Sequence, residues 1–333
     1  SRRQRQMCIR DRERLMPFDL QVFNKQTYAA MTETVAQDIE KFNEASQGAI
    51  QLINEPFGGD FNIEASFKAI AGIVRRRNAY GTGTVAAKRL EQMLDVAVKV
   101  AAGTPPIEYE KQQYSWILQN PELAALTIGE QLAKARLADM LNAGILGASS
   151  AISGNVNAVH GNGTDAASFR LLNKGAAKLG DRSSAIRAWI VHSTTMHNLF
   201  DNALANSENL FRYDGVNVVR DPFGRVFVVT DAPALVGDNT GTAFYNTLGL
   251  VEGAVVVNDN NDFNAELVPS TGGENIKYTY QAEWTFGAGV KGYAWNTAAG
   301  GKSPTDAAIG TPTNWDLIAA SVKDTAGVLI KSA

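Results

Sequence analysis

Cysteine is almost absent: one residue in 333. No disulfide can close within the chain, and no cysteine-based metal cluster is available. The single thiol, Cys8, lies in a segment that reads as foreign. Arg5-Gln6-Met7-Cys8-Ile9-Arg10-Asp11 back-translates to AGA CAG ATG TGT ATA AGA GAC, which resembles the transposase mosaic-end adapter of sequencing libraries read in frame. Such scars are kept out of fold reasoning. Arg12-Glu13-Arg14-Leu15 resembles translated leader, so residues 1–15 are expected to be non-native and Met16 the native start. On that expectation the native chain has no thiol nucleophile. Residues 1–15 carry six Arg against Asp11 and Glu13, so 25 basic and 32 acidic residues remain and the formal charge moves from −3 to −7.

Long apolar runs are missing too. None approaches the roughly 18 to 20 residues that span a bilayer, so no membrane partner is expected. Pro17-Phe18-Asp19-Leu20 follows Met16 where a signal peptide would have a basic n-region and an apolar stretch, so the chain is expected to fold in cytoplasm. Its acidic balance argues against a dedicated DNA binder held by phosphate neutralisation. About 318 native residues suffice for one large domain or two modest ones with a sizeable core.

The pattern that is present mixes helices and strands. Tyr28, Met31, Val35, Ile39 and Phe42 recur at helical spacing, predicting a helix over about 27–47 that Gly48 stops. Residues 51–112 are broken by Pro56-Phe57-Gly58-Gly59-Asp60, by Tyr80-Gly81-Thr82-Gly83-Thr84 and by Gly103-Thr104-Pro105-Pro106. They suggest an extended hairpin or excursion. Asn120 and Pro121 then open a long helix to about residue 149, with Ile128, Leu132, Ala135, Met140, Leu141 and Ile145 as its apolar face. Gly129, Gly144 and Gly147 inside it suggest close approach of another backbone. A second helix is expected from about Ser184 to Ala205. A buried strand is expected at Arg225–Asp231, and a half-buried one from Ile276, where Tyr278, Tyr280, Ala282, Trp284 and Phe286 alternate with polar residues. The class is α+β.

Several short segments carry a family likeness. Gly224-Arg225-Val226-Phe227-Val228-Val229-Thr230-Asp231-Ala232-Pro233 and Trp284-Thr285-Phe286-Gly287 resemble strand segments of tailed-bacteriophage major capsid proteins. So do Lys291-Gly292-Tyr293-Ala294-Trp295 and Ser303-Pro304-Thr305-Asp306-Ala307-Ala308-Ile309 with Asn314-Trp315-Asp316. Ser184-Ala185-Ile186-Arg187-Ala188-Trp189-Ile190-Val191-His192-Ser193 is similar to the family's helix after the spine. The resemblance implies an HK97-like capsid fold. Its parts would be an N-terminal arm (16–50), an E-loop (51–112), a P-domain with the spine helix (113–180), an A-domain (181–255) and closing P-domain strands (256–333).

The function so implied is a non-enzymatic virion protein that assembles in the host cytoplasm into an icosahedral head enclosing double-stranded DNA. Its partners would be itself, in hexamers and pentamers, with scaffolding and portal proteins and in some phages a decoration protein. No sequence-specific DNA contact and no cofactor are implied. Arg75, Arg76 and Arg77 are the candidate intersubunit ionic contacts. Some members join a loop Lys to an Asn of a neighbour, and Lys68 and Lys88 lie in the corresponding region. Two other readings stay open: an encapsulin-type compartment shell sharing the fold, and a cytosolic hydrolase with an unrecognised site.

The remaining site candidates fit their templates poorly. His192 and His197, five apart, would point about 140° apart on a helix, unlike the spacings of three or four in metal pairs; His197 is expected near the core face. Gly161–Asp165 and Asp259–Asp262 resemble fragments of calcium loops without the closing bidentate acid. Ser193 beside His192 forms no triad, and Gly81-Thr82-Gly83 lacks the rest of a nucleotide fingerprint.

Overall fold

The computed structural model describes residues 29, 31, 35, 37–40, 42–56, 58–67, 76–85, 92–110, 121–199, 208–213, 216–220, 226–239 and 241–333. They divide into two compact units. The first holds described residues up to 37 with 102–136 and 262–284; the second holds 38–101, 137–261 and 285–333. The helix Pro121–Ser153 and the strand Lys277–Val290 contribute residues to both.

In the first unit, the N-terminal half of the long strand is central. Asn264–Ser270 pairs antiparallel on one side, Val268 opposite Thr279 and Ser270 opposite Lys277. Ile107–Glu110 pairs antiparallel on the other, Glu108 opposite Thr279 and Glu110 opposite Lys277. The period-2 alternation is realised: Tyr280, Ala282 and Trp284 are buried, and Lys277, Gln281 and Glu283 are exposed. Arg136, nearly fully buried, lies with its guanidinium carbon 6.0 Å from the Phe263 ring centroid.

The second unit contains one complete eight-stranded sheet. Its strand order is Val159–His160, Gly327–Ser332, Thr242–Val251, Ile186–Val191, Val226–Thr230, Val216–Arg220, Glu208–Tyr213, with Val236–Asn239 also on Thr242–Val251. The expected helix from Ser184 is corrected here. Ile186–Val191 is a strand, antiparallel to Thr242–Val251 and parallel to Val226–Thr230. Its helical spacing misled because a central strand covered on both faces reads as a continuous apolar run with no alternation to reveal it. Ala188, Trp189, Ile190 and Val191 are all buried. Trp189 lies across Gly249, where a Cβ would come within 2.6 Å of the indole. Only Ser193–Leu199 is helical; residues 200–205 lie outside the described ones.

The long helix reaches Ser153, somewhat past its expected end. From Met140 to Ile152 nearly every side is buried, so the single apolar face expected for it does not hold there, and Ala135 is exposed. Gly144 and Gly147 admit side chains and not another backbone. A Cβ on Gly144 would meet Val257 at 3.0 Å and Val255 at 3.2 Å; one on Gly147 would meet the Trp315 ring at 3.2 Å.

The helical residues between 29 and 45 end where expected. Ser46 and Gly48 donate N–H bonds to the carbonyls of Phe42 and Asn43, and Gly48 takes φ +69°, the left-handed conformation that glycine adopts without a Cβ penalty. The Asn43 side chain then pairs with both backbone groups of Leu52, fixing the start of Ile50–Ile53, which runs parallel to Val255–Asp259. Asn314-Trp315 and its surroundings are packing elements. Trp295 and Trp315 meet edge to face at 5.0 Å, each indole N–H donates to a carbonyl, and the Asn314 amide donates to Ala308.

Candidate interaction surface

The described strands within 58–101 form a two-faced ladder. Phe61–Phe67 pairs antiparallel with Gln92–Val98. Because directly opposed residues share a face, Phe61 and Ile63 lie on the same side as Val98, Val96 and Leu94. Asn62 and Glu64 lie on the other side with Ala97 and Asp95. Exposure rises along the apolar face away from the body. Val98 is buried, Phe61 and Val96 are intermediate, and Ile63 and Leu94 are 58% and 52% exposed. Isolated exposed apolar residues are ordinary, but a continuous face of them marks a surface that something covers.

The polar face lines a cavity of about 530 Å³ with Glu55, Gly289 and Lys291. Glu64 and Asp95 are directly opposed across the ladder. Burial, with the Glu64 charge second, pushes the Asp95 carboxyl up to about 6. Chemically Asp95 can take up a proton near that pH. The hairpin root is tied to the body by Lys302, whose ammonium lies 2.8 Å from Asp60 and holds that carboxyl below its usual range.

Residues 76–85 lie between the two strands, and every one is exposed. Arg76 and Arg77 are among them; Arg75, Lys68 and Lys88 lie outside the described residues. Sequence reasoning passed over Tyr80, which is 96% exposed. The Asn78 side chain accepts from the Tyr80 N–H at 3.0 Å and its carbonyl accepts from Gly81 at 3.2 Å, so the turn is held by its own asparagine.

The other candidate positions have local roles. His192 closes the strand Ile186–Val191. Its Nε2 is 3.5 Å from Asp231, its Nδ1 accepts from the Thr194 N–H, and its ring lies 4.8 Å from Tyr245. His197 is exposed, contrary to its expected place near the core, because the helix carrying it begins only at Ser193. Asn162 and Asp259 accept from backbone two residues on, stabilising turns. Among the described residues, no three His, Cys, Asp or Glu side chains converge as a metal site, and no helix is long and apolar enough to cross a membrane.

A family profile described as Gp13-like, major capsid protein 13-like, matches residues 19–329. No curated protein matches the sequence. Among solved structures, the capsid of Myoviridae phage XM1 is 15% identical, with 86% of this chain and 90% of that one covered and a TM-score of 0.47. The capsid of cyanophage Pam1 is 14% identical, covering 72% and 84%, with a TM-score of 0.46. The head of Helicobacter pylori bacteriophage KHP40 is 12% identical, covering 85% and 86%, with a TM-score of 0.44.

Proposed function

We propose, from the premise that this chain belongs to the major capsid protein 13-like family and is a structural protein of the phage head, that it closes the shell through its hairpin arm. The observation that carries the reading is the hairpin with one apolar face left exposed and one polar face turned to its own cavity. Folding of a single chain leaves that apolar face in water. Tiling with further copies removes it, at roughly 25 cal/mol per Å² of apolar area.

Contacts between unlike surfaces that close by rotation make rings, here hexamers and pentamers of an icosahedral head around double-stranded DNA. On this reading the layout is HK97-like, with an arm at 16–50, an E-loop at 51–112, a P-domain at 113–180 and 256–333 and an A-domain at 181–255. Arg75, Arg76 and Arg77 supply ionic contacts to a neighbour, and Lys68 and Lys88 lie on the same excursion. The protein works without catalysis, assembles in the host cytoplasm, and meets a separate scaffold, a portal and, in some heads, a decoration protein. An acidic subunit adsorbs packaged DNA weakly, which leaves the DNA free to move.

Electron microscopy of the purified protein tests the reading directly: shells are expected. Replacing Arg75, Arg76 and Arg77 together by Gln is expected to abolish shells and to leave the circular dichroism of the subunit unchanged. Normal shells from that variant would remove the ionic role. Boiling wild-type shells in detergent separates two forms of the Lys68 and Lys88 contact: a monomer band alone excludes a covalent link.

A further inference from the structure

Asn162-Gly163 is the only Asn-Gly pair in the sequence. An asparagine amide can be attacked by the backbone nitrogen of the next residue, and glycine, without a Cβ, obstructs that approach least. The fold brings the two groups together. The Asn162 side-chain oxygen reaches forward past Gly163 and accepts from the Thr164 N–H at 3.3 Å and from the Thr164 hydroxyl at 2.7 Å. This turn curls the amide over the Gly163 peptide. Both donors also draw electron density from the carbonyl under attack, as the donors of an oxyanion hole do. Asn162 is exposed, so water reaches it.

The loop has little freedom to avoid this pairing. Gly163 takes φ +82°, and a Cβ there would lie 2.8 Å from the Phe244 Cβ, so position 163 calls for glycine. Position 162 must supply the oxygen that holds the turn. Asn78 is a natural contrast. It is exposed as well, and its side chain accepts from the Tyr80 N–H in a turn of the same kind, but Ala79 follows it and brings a Cβ.

We propose that Asn162 is a site of spontaneous deamidation, with Thr164 as its positioning residue. The Gly163 nitrogen bonds to the Asn162 Cγ and gives its proton to hydroxide. The bond from Cγ to Nδ2 breaks, and ammonia leaves after taking a proton from water, which restores the hydroxide. The cyclic succinimide then takes up water at either carbonyl, giving aspartate or isoaspartate. Aspartate keeps an oxygen for Thr164. Isoaspartate inserts a methylene into the main chain just before Gly163. The same loop holds the end of the chain, because the Asp165 carbonyl accepts from the Ala333 N–H at 2.8 Å. The inference is independent of the reading of the hairpin.

Ageing the full chain in mildly alkaline buffer tests it. Peptide mass mapping and isoaspartyl methyltransferase labelling follow each asparagine. Asn162 is expected to convert first, with isoaspartate among its products, while Asn78 keeps its amide. This comparison needs no variant. Asn162→Gln is expected to lose the product, since its longer side chain closes a ring less readily. Thr164→Val is expected to slow conversion in the folded chain and to leave the rate in urea unchanged, where the turn is gone. Circular dichroism establishes that each variant is folded.

An Asn162 that keeps its amide as long as Asn78 does would overturn the inference. So would a folded Thr164→Val chain that converts as fast as wild type.

Discussion

Among the described residues, Asp95 and Asp139 are the two carboxyls whose surroundings most oppose their charge. Asp95 faces Glu64 across the hairpin. Asp139, on the long helix, shares a cavity of about 460 Å³ with Asp306, and burial first, then that second carboxylate, pushes it up to about 6. A carboxyl that titrates higher when folded binds its proton more tightly in the native state. Its contribution is thus most favourable at low pH and is lost as pH rises through about 6. Asp95→Asn should raise the melting temperature at pH 7, by about 1 kcal/mol of stability once solvent screening of this partly exposed group is allowed for. It should also flatten the fall in stability between about pH 4 and 6. An unchanged pH profile would show that Asp95 is not held above its usual range in solution. Neither pair was legible in the sequence. Residues 64 and 95 become neighbours only through the ladder register, and 139 and 306 only through the turn against the long helix. Arg76 and Arg77 were visible as a charge run, but the exposure of Tyr80 was not, because an aromatic beside a Gly-Thr-Gly turn reads equally well as a core residue.

Among elements, those with one wet face were the easiest to read. The alternation from Ile276 marks a strand that the structure extends to Val290, and the apolar stripe at Met31, Val35, Ile39 and Phe42 marks a helix that Gly48 ends. Elements buried all round were harder. Ile186–Val191 has no polar side to betray its period, and the long helix beyond Met140 has no single apolar face. Its glycines carry the information instead. Gly144 leaves room for Val255 and Val257 of the neighbouring strand. Gly144→Leu should therefore lower stability by about 1 to 3 kcal/mol through overpacking. Gly144→Ala should be nearly neutral, because about 1 kcal/mol of gained helix propensity offsets the tight methyl contacts. Thermal melts of both decide it. A leucine variant as stable as wild type would mean that the valines move aside freely.

At the scale of the whole molecule, a few short stretches and their order along the chain led to the capsid family. Asn314-Trp315 and Trp295 prove to be core packing, which explains why a structural protein can be recognised from them without any catalytic residue. Ionic anchoring also makes a prediction about solution conditions. The screening length falls from about 8 Å at physiological salt to about 3 Å at 1 M. The protein concentration needed for shell formation, followed by light scattering, should therefore rise with sodium chloride. A threshold indifferent to salt would leave the arm held by apolar contact alone.

The strand Gly327–Ser332 lies between Thr242–Val251 and Val159–His160. A ribosome must translate through residue 332 before this sheet can zip shut. Until then the strands at 159–160 and 242–251 each lack a neighbour, and an unfinished chain has no settled body to offer other chains. The two flanking strands of this sheet thus meet only through residues 327–332, the stretch of the sheet that is made last.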